Sequence, residues 1–502
     1  MESINTTFKC SLRACNIWRR RWVLLLLVLV QTACKKLIEV APPESTIGVT
    51  DVFTTDVSAA AVLTGIYTNM SNSNSTEFYK GGFTSMSLFP SLSADELTSV
   101  APGSLTYNAY YTNELTSSID PYQSPDYWKI IYPIIFVTNS AIEGLENAPH
   151  LTPIVKQQLM GEAKFMRAFC YFYLVNLYGA VPLAISTDWQ VNAVLSRSPV
   201  AKVYQQIISD LKDAQSLLSE IYLQADVMSK TSERVRPTKW AATALLARAY
   251  LYTEDWANTE IQATAVINNS TLFDLPAPDY AFRRFSRETI WQLRGVGAKP
   301  DVYNSATTLN TGEGLLFILP SWGPSPYGNP VYLSNNIASN FEADDQRKMS
   351  WVNSVTVGSN TYYYPFKYKI GVTDLPYSLE NSIVMRLGEQ YLIRAEARAQ
   401  QNNIGGAQND VNAIRTRAGL SNTTADNKTT LLTAILQERK VELFTEWGHR
   451  WLDLKRTGNI DAVMSLVAHQ KGASWKTTDQ LYPIPLTELK KAPQLAQNAG
   501  YY

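Results

Sequence analysis

The chain has 502 residues, with 44 basic and 44 acidic side chains and therefore no net charge. It has no basic excess to neutralise phosphates, which argues against a nucleic-acid partner. Aromatic residues make up 11% of the chain, with 28 tyrosines and 12 tryptophans. This surplus of amphipathic rings is the compositional feature that a function has to explain.

The N-terminus has the pattern of a secretory signal. Arginines precede an apolar run, Trp22 to Val30, and small residues then lead to Cys34. The run is shorter than the about 20 residues that a transmembrane helix needs. A cysteine here is typical of a bacterial lipobox, although Gln31 stands where leucine is usual. We predict a signal peptide over 1–33, a lipidated Cys34 and a tether over 34–50. A plain signal peptide with a chance cysteine is the alternative.

Helical spacing of apolar residues predicts a scaffold that covers about 51–70, 126–267 and 383–460. Within it, small residues alternate with long side chains in 237–267 and again in 386–420. Each of these segments is interrupted by a polar break, "TEDW" or "QNNIGG". This pattern is typical of tetratricopeptide helix–turn–helix units. Because long unlike segments separate the units, we expect a helical scaffold and not a regular solenoid.

Two segments, about 71–125 and 268–382, show no sustained period and are rich in Ser, Asn, Gly, Pro and aromatic residues. We predict loops with short strands. Such long loop regions usually serve a function or are disordered, and the dense aromatic content argues against disorder. Residues 51–502 are therefore predicted to form a single, mainly α unit in which the helical scaffold carries a large irregular, aromatic lobe.

The stretch "ERKVELFTEWGHRWLDLKR" concentrates charge near the C-terminus. Three glutamates recur every four residues and would form one stripe on a helix: Glu438, Glu442 and Glu446. Arg450 follows Glu446 by four residues and would pair with it if the helix continues through Gly448. Further partners are expected from the preceding hairpin: Arg394, Arg415 and Arg417.

The same stretch could in principle be an active site. Its only histidine is His449, and the chain has no H-E-x-x-H, G-x-S-x-G, P-loop, C-x-x-C or calcium-loop motif. Paired carboxylates could serve a glycosidase, but a stripe of acids with arginines available is more often structural. We predict a structural ion-pair clamp of Glu438, Glu442, Glu446, Arg450 and Arg415, and no metal or cofactor.

Sugar binding requires flat rings for the C–H face of a pyranose and polar groups for its hydroxyls. Two segments outside the scaffold offer both, "SLTYNAYYTNEL" and "LPSWGPSPYGNPVY". The candidate ligand-binding residues are Tyr107, Asn108, Tyr110, Tyr111, Trp322 and Tyr327, with Asp95 and Glu96 as polar partners. The "YYYPFKY" run is a weaker candidate, because strand alternation would place only Tyr362 and Tyr364 on one face. Packing of each ring within its own lobe is the alternative.

Sequence blocks that carry a family resemblance are distributed along the whole chain. They include "CKKLIEVAPPE", "FTTDVSAAAVLTGIY", "GEAKFMRAFCYFYLVNLYGAVPL", "VMRLGEQYLIRAEARAQ", "ERKVELFTEWGHRWLDLKRTG" and "LYPIPLTELKKAPQLAQNAGYY". In these blocks the chain resembles the SusD/RagB family of outer-membrane nutrient-binding lipoproteins from Bacteroidetes.

The resemblance implies tetratricopeptide-like units that pack against a SusC-like TonB-dependent outer-membrane transporter. It implies capture of oligosaccharide, or of peptide, for import without cleavage, by a lipid-anchored protein exposed at the cell surface. Surface exposure rests on the resemblance alone, because Lys35 and Lys36 stand where surface-exported relatives often carry acids. A tetratricopeptide adaptor and a glycosidase remain the alternative functions.

Overall fold

The computed structural model describes residues 52–71, 83–101, 104–118, 126–295, 311–326, 328–371 and 380–501. The predicted signal peptide, the lipidation residue Cys34 and the tether lie outside these residues, and so does Tyr327. Within the described ranges, no helix combines the length and the apolar character that crossing a bilayer requires.

Helices dominate the structure, as the sequence predicts. In chain order the α-helices of the described residues are α1 (Asp56–Ser71), α2 (Phe89–Ser93), α3 (Leu105–Thr112), α4 (Tyr127–Glu146), α5 (Pro153–Tyr178), α6 (Trp189–Asn192), α7 (Val200–Leu217), α8 (Lys239–Tyr252), α9 (Trp256–Ile267), α10 (Gly312–Phe317), α11 (Asn335–Ala338), α12 (Gln346–Trp351), α13 (Leu387–Gln400), α14 (Ile404–Arg417), α15 (Lys428–Glu442), α16 (His449–Arg456), α17 (Ile460–Gln470) and α18 (Leu486–Lys491).

The strands are short and pair in twos. In chain order they are β1 (Leu97–Ser99), β2 (Val181–Pro182), β3 (Arg197–Ser198), β4 (Thr289–Leu293), β5 (Val331–Leu333), β6 (Val352–Val357), β7 (Asn360–Pro365) and β8 (Ser382–Arg386). The antiparallel pairs are β1 with β5, β2 with β3, β4 with β8 and β6 with β7. In addition, β5 packs beside β7.

The scaffold is a chain of packed helices. Helix α5 packs between α4 and α7, α8 between α7 and α9, and α13 between α9 and α14. The predicted break after α8 is present, where Glu254 adopts a positive φ of 59° and the Asp255 side chain caps α9. The turn between α13 and α14 is built in the same way by Asn402 and Asn403. The predicted tetratricopeptide-like hairpins and the mainly α fold are confirmed.

The predicted lobe contains more regular structure than its sequence indicated. Residues 105–112, predicted as loop, form helix α3, which begins at the Ser104 cap and ends at Asn113 with a positive φ of 58°. Helices α10 to α12 and strands β4 to β7 lie in the segment predicted as irregular. These elements are three to six residues long, too short to produce a period that stands out in the sequence.

The charged stretch is not one continuous helix. Helix α15 ends at Glu442 and α16 begins at His449. Between them Thr445 and Trp447 adopt positive φ angles of 52° and 45°. Glu446 therefore lies in a connecting segment, and the prediction of a single helical stripe is wrong for this residue.

Candidate ligand-binding site

Three tyrosine rings lie together where β5 meets β1 and β7, and the loop that carries Trp322 approaches the same β6–β7 hairpin. We call this group the aromatic surface, and its members are Tyr111, Trp322, Tyr332 and Tyr362. Tyr111 and Trp322 are among the predicted ligand-binding residues. Three of the rings are half-buried, and Trp322 is 71% exposed, so the surface faces solvent while its members stay in contact with the protein.

Strand pairing holds the tyrosines of the aromatic surface in place. Thr98 and Tyr332 are partners across β1 and β5, and the Thr98 side chain hydrogen-bonds both Tyr332 and Tyr111. The Tyr332 and Tyr362 rings meet edge to face, with centroids 5.1 Å apart. Burial raises the pKa of Tyr111 and of Tyr332. Both hydroxyls therefore remain protonated donors at neutral pH.

Trp322 reaches this face because the next residue is a glycine. Gly323 has a φ of +83°, and a Cβ there would lie 3.0 Å from Val357 Cγ2 and 3.6 Å from Tyr362 Cδ2. The absence of a side chain lets the loop approach the β6–β7 hairpin closely. The loop that carries Trp322 thereby lies against the β6–β7 hairpin beside Tyr362, and Trp322 keeps 71% of its surface exposed.

Lys471, directly after α17, contacts the ring of Tyr111. Its Nζ lies 5.0 Å from the centroid of the Tyr111 ring. The same ammonium donates hydrogen bonds to the carbonyl oxygens of Leu92 (2.6 Å), Ser93 (3.2 Å) and Ala94 (2.6 Å). Lys471 thus caps the C-terminal end of α2 and places a positive charge against the ring of Tyr111.

The other predicted tyrosines are placed differently. Tyr110 is only 3% exposed, with its ring centroid 4.8 Å from that of Phe89 and 5.3 Å from that of Tyr482. It forms part of the wall of a cavity of about 200 Å³ that Tyr482 also lines. Tyr107 is half-buried against Phe89, and Asn108 beside it is half-buried too. The structure contradicts the prediction that Tyr110 belongs to the exposed rings.

Asp95 and Glu96 are not ligand-facing. They are 3% and 1% exposed. Asp95 accepts hydrogen bonds of 2.7 and 3.0 Å from Arg450 and pairs with Lys440 at 3.2 Å. Burial raises the pKa of Asp95, but the two cations outweigh burial and hold this pKa at about 2. Glu96 accepts from the Thr445 backbone N–H at 3.3 Å, and burial raises its pKa to about 7. The predicted role of both carboxylates is therefore wrong.

The charged stretch forms part of a buried group that we call the ion network. Its acids are Glu288, Asp345, Glu438, Glu442 and Glu446, and its bases are Arg347, Lys367, Arg386, Arg415 and Arg417. All five acids are less than 9% exposed. Since five acids face five bases, the network balances its charge inside the protein.

Glu442 is central to the ion network. Its Oε1 accepts from Arg386 at 2.6 Å and from Arg417, and its Oε2 accepts from Arg347 at 2.9 Å. Burial alone would raise the pKa of Glu442, but the three guanidinium groups outweigh burial and lower it well below its usual range. Glu446 is paired with Arg386 at 2.7 Å and with Lys367. These carboxylates are occupied by protein cations and have no open face for a substrate.

Two of the predicted pairings are wrong. Arg450 bonds Asp95 and not Glu446, because the helix breaks before Gly448. Arg394 pairs with Asp410 at 2.6 Å within its own hairpin. Arg415 does reach Glu438, at 3.4 Å, and also pairs with Glu342 at 2.6 Å.

Sequence reasoning missed several partners. Three of these partners come from the segment before the scaffold hairpin: Arg347, Lys367 and Arg386. Their separation from the glutamates by 56 to 95 residues leaves no periodic signal. At the aromatic surface, Thr98 and Lys471 were missed for the same reason, whereas Tyr332 ends the candidate segment "LPSWGPSPYGNPVY" but was not singled out within it. In the described part of the chain, no three His, Cys, Asp or Glu side chains are grouped so that they could hold a metal ion.

Comparisons with known proteins match the chain along most of its length. The family profile described as "Starch-binding associating with outer membrane" matches residues 43–251, and the profile described as "SusD family" matches residues 334–501. "SusD-like protein P2" of Formosa agariphila is 28% identical over 531 residues, which cover 96% of this chain and 99% of that protein. "SusD-like protein P25" of the same organism is 26% identical over 451 residues, with coverages of 78% and 83%.

A solved structure is similar as well. The "Laminarin binding SusD-like protein" superposes with a TM-score of 0.71 at 23% identity, over 88% of this chain and 99% of that chain. At this identity the similarity is one of fold.

Proposed function

The chain belongs to the SusD/RagB family, and from this membership we propose that it is a non-catalytic binding protein of the outer membrane. It captures oligosaccharide and delivers it to a partner SusC-like TonB-dependent transporter. Carbohydrate binding is supported by the matched family descriptions and by the laminarin-binding neighbour of the same fold.

The aromatic surface is the observation that carries this proposal. A pyranose presents a C–H face that packs on flat rings and hydroxyls that pair with polar edges. Trp322 offers an exposed ring, while Tyr111 and Tyr332 supply phenol groups held by Thr98. Because strands and Lys471 already fix the tyrosines, a sugar would bind without paying much to order them.

The ion network argues against a glycosidase. A glycosidase needs two carboxyl groups on either side of the scissile bond, with access for sugar and water. Glu438, Glu442 and Glu446 are instead buried and bonded to arginine or lysine. Their arrangement stabilises the contact between the scaffold and the lobe.

A glycan panel tests the proposed binding. The purified protein is incubated with starch, laminarin, xylan and other polymers, and both binding and product release are measured. We expect binding without cleavage, and we expect Trp322→Ala to weaken it by about tenfold or more, as loss of a central aromatic contact does. Trp189→Ala is the matched control, because Trp189 is 73% exposed outside the aromatic surface. Sugar release, or equal binding by both variants, would contradict the proposal.

The lipid anchor and the transporter are tested in the native cell. Cys34→Ala is expected to abolish labelling with a radioactive fatty acid and to release the protein from the membrane fraction. The wild-type protein, solubilised in mild detergent, should co-purify with a TonB-dependent transporter. Unchanged acylation of the variant would contradict the anchor, and purification without any such transporter would contradict the partnership.

A further inference from the structure

A second concave site shares no residue with the aromatic surface. It is a cavity of about 470 Å³ between the C-terminal half of α1, the segment 223–236 and the end of β4. Sites for small molecules typically enclose about 300–1,000 Å³. The cavity therefore has room for one sugar ring with its hydration, and not for a long polymer.

The base of this cavity is fixed by a buried ion pair. Arg236, 4% exposed, donates from Nη1 to Glu162 Oε2 and from Nη2 to Thr64 Oγ1, both at 2.6 Å. The Tyr67 hydroxyl donates to the same Glu162 oxygen at 2.8 Å. Three of these residues, Arg236, Thr64 and Tyr67, line the cavity. The polar groups at its base are thus positioned before any ligand arrives.

The charge at the base is compensated. Glu162 is fully buried, so its carboxylate neutralises the guanidinium of Arg236 at close range. Of the other charged lining residues, Glu233 is paired with Arg284 and Arg294 is exposed to solvent. Because the buried charges of the lining are paired within the protein, the cavity favours a neutral polar ligand over an anion.

The walls combine two kinds of surface. Leu223, Val235 and Leu293 supply aliphatic groups, while Thr68 and Thr231 add hydroxyl groups. A lining that combines aliphatic, hydroxyl and guanidinium groups suits a pyranose, which carries C–H bonds on one face and hydroxyls around its edge.

From this geometry we propose that the cavity binds a single neutral pyranose unit, as a free monosaccharide or as a chain end. The site goes beyond the proposed function, because it is separate from the aromatic surface and has room for a single ring. A ligand held here would contact Arg236 and Thr68 on its polar edge and Leu223 on its C–H face.

Binding of monosaccharides to single-site variants tests the proposal. D-glucose, D-galactose, D-mannose and D-xylose are titrated at millimolar concentrations by saturation-transfer NMR, with D-glucuronate as an anionic probe. In Ala225→Trp the indole fills the cavity, which Ala225 lines. Met228→Trp is the matched control, since Met228 is 54% exposed on the same segment and does not line the cavity. We expect at least one neutral sugar to bind the wild type and the control, and to bind Ala225→Trp about tenfold more weakly or not at all.

A second variant covers the case in which Ala225→Trp does not fold. Thr68→Val removes one hydroxyl at nearly constant volume and should weaken sugar binding severalfold while leaving the unfolding transition in place. Trp322→Ala should leave monosaccharide binding unchanged, which separates this site from the aromatic surface. The proposal is overturned if no neutral monosaccharide binds the wild type, if only D-glucuronate binds, or if neither cavity variant weakens binding.

Discussion

Arg450 and Asp95 are joined by two hydrogen bonds of 2.7 and 3.0 Å, although they lie 355 positions apart in the chain. The pair connects α16, near the C-terminus, to the segment that leads into β1. That strand carries Thr98, which holds two rings of the aromatic surface. The C-terminal charged stretch is therefore connected through β1 to the candidate ligand-binding site.

We expect Asp95→Asn to destabilise the fold. The substitution removes the buried anion from Arg450 and Lys440, whose side chains are only 11% exposed, and removing one partner of a buried ion pair costs roughly 3–5 kcal/mol. Urea denaturation should show this fall in the free energy of unfolding. Asp274→Asn is the control, because the Asp274–Arg287 pair is about half exposed and should contribute less than about 1 kcal/mol. Equal effects of the two substitutions would show that the buried pair contributes no more to stability than the exposed pair.

Glu442→Gln is expected to lower stability by a similar amount, roughly 3–5 kcal/mol, because three arginines depend on this carboxylate. The folded fraction should bind glycan as the wild type does. Glu342→Gln is the control, because Glu342 is an exposed acid outside the ion network that pairs with Arg415. If Glu442→Gln folded normally but abolished turnover of a glycan, the structural interpretation of the ion network would be wrong.

The scaffold was predictable because its signal is local. Ala241, Ala244 and Ala247 recur every three residues and all are fully buried, so the sequence marks the face on which neighbouring helices approach. The turns are local as well, since Asp255 and Asn403 cap the helices that follow them. Periodicity and capping are properties of a dozen residues and can be read without the fold.

The candidate site was predictable only in part. Trp322 is exposed and Tyr111 is half-buried, as the prediction that they bind ligand requires, but the sequence offered no means to distinguish the buried Tyr110 from Tyr111. Helix α3 turns about 100° per residue, which sends one ring into the core and the other to the surface. The contact between Tyr332 and Thr98 depends on pairing of strands far apart in the chain, and no local pattern encodes it.

Glu313 should make stability depend on pH. Its Oε1 accepts from Ser382 at 2.9 Å and Ser87 at 3.2 Å, and its Oε2 has no hydrogen-bond partner among the described residues. Burial raises the pKa of Glu313 to about 7. The folded state therefore holds a proton that the unfolded state releases near pH 4.5. The protonated Glu313 side chain thus contributes to the free energy of unfolding. This contribution is fully present below about pH 4.5 and is lost as the pH rises through about 7, a change of roughly 3 kcal/mol.

Glu313→Gln tests that dependence, because glutamine keeps the shape of the protonated acid without titrating. We expect the variant to gain stability over the wild type at pH 8 and to differ little from it at pH 4.5. Urea denaturation at both values measures the difference. Glu220→Gln is the control at an exposed pair with Lys239 and should show no such pH-dependent gain. A gain of equal size at both pH values would contradict the assignment.

Lys471 is expected to act on ligand binding through Tyr111. In Lys471→Met the ring loses a cation 5.0 Å away, and the carbonyls at the end of α2 lose their donor. A cation–π contact contributes about 0.5–2 kcal/mol to holding the ring in place, so glycan affinity should fall, by no more than about thirtyfold. Since burial lowers the pKa of Lys471 to about 7, affinity is best measured at pH 6, where the ammonium is charged. Lys202→Met, on the exposed side of α7, should change neither affinity nor stability. If Lys471→Met lowered stability but left affinity intact, Tyr111 would not belong to the ligand-binding surface, and the binding rings would have to be sought around Trp322 alone.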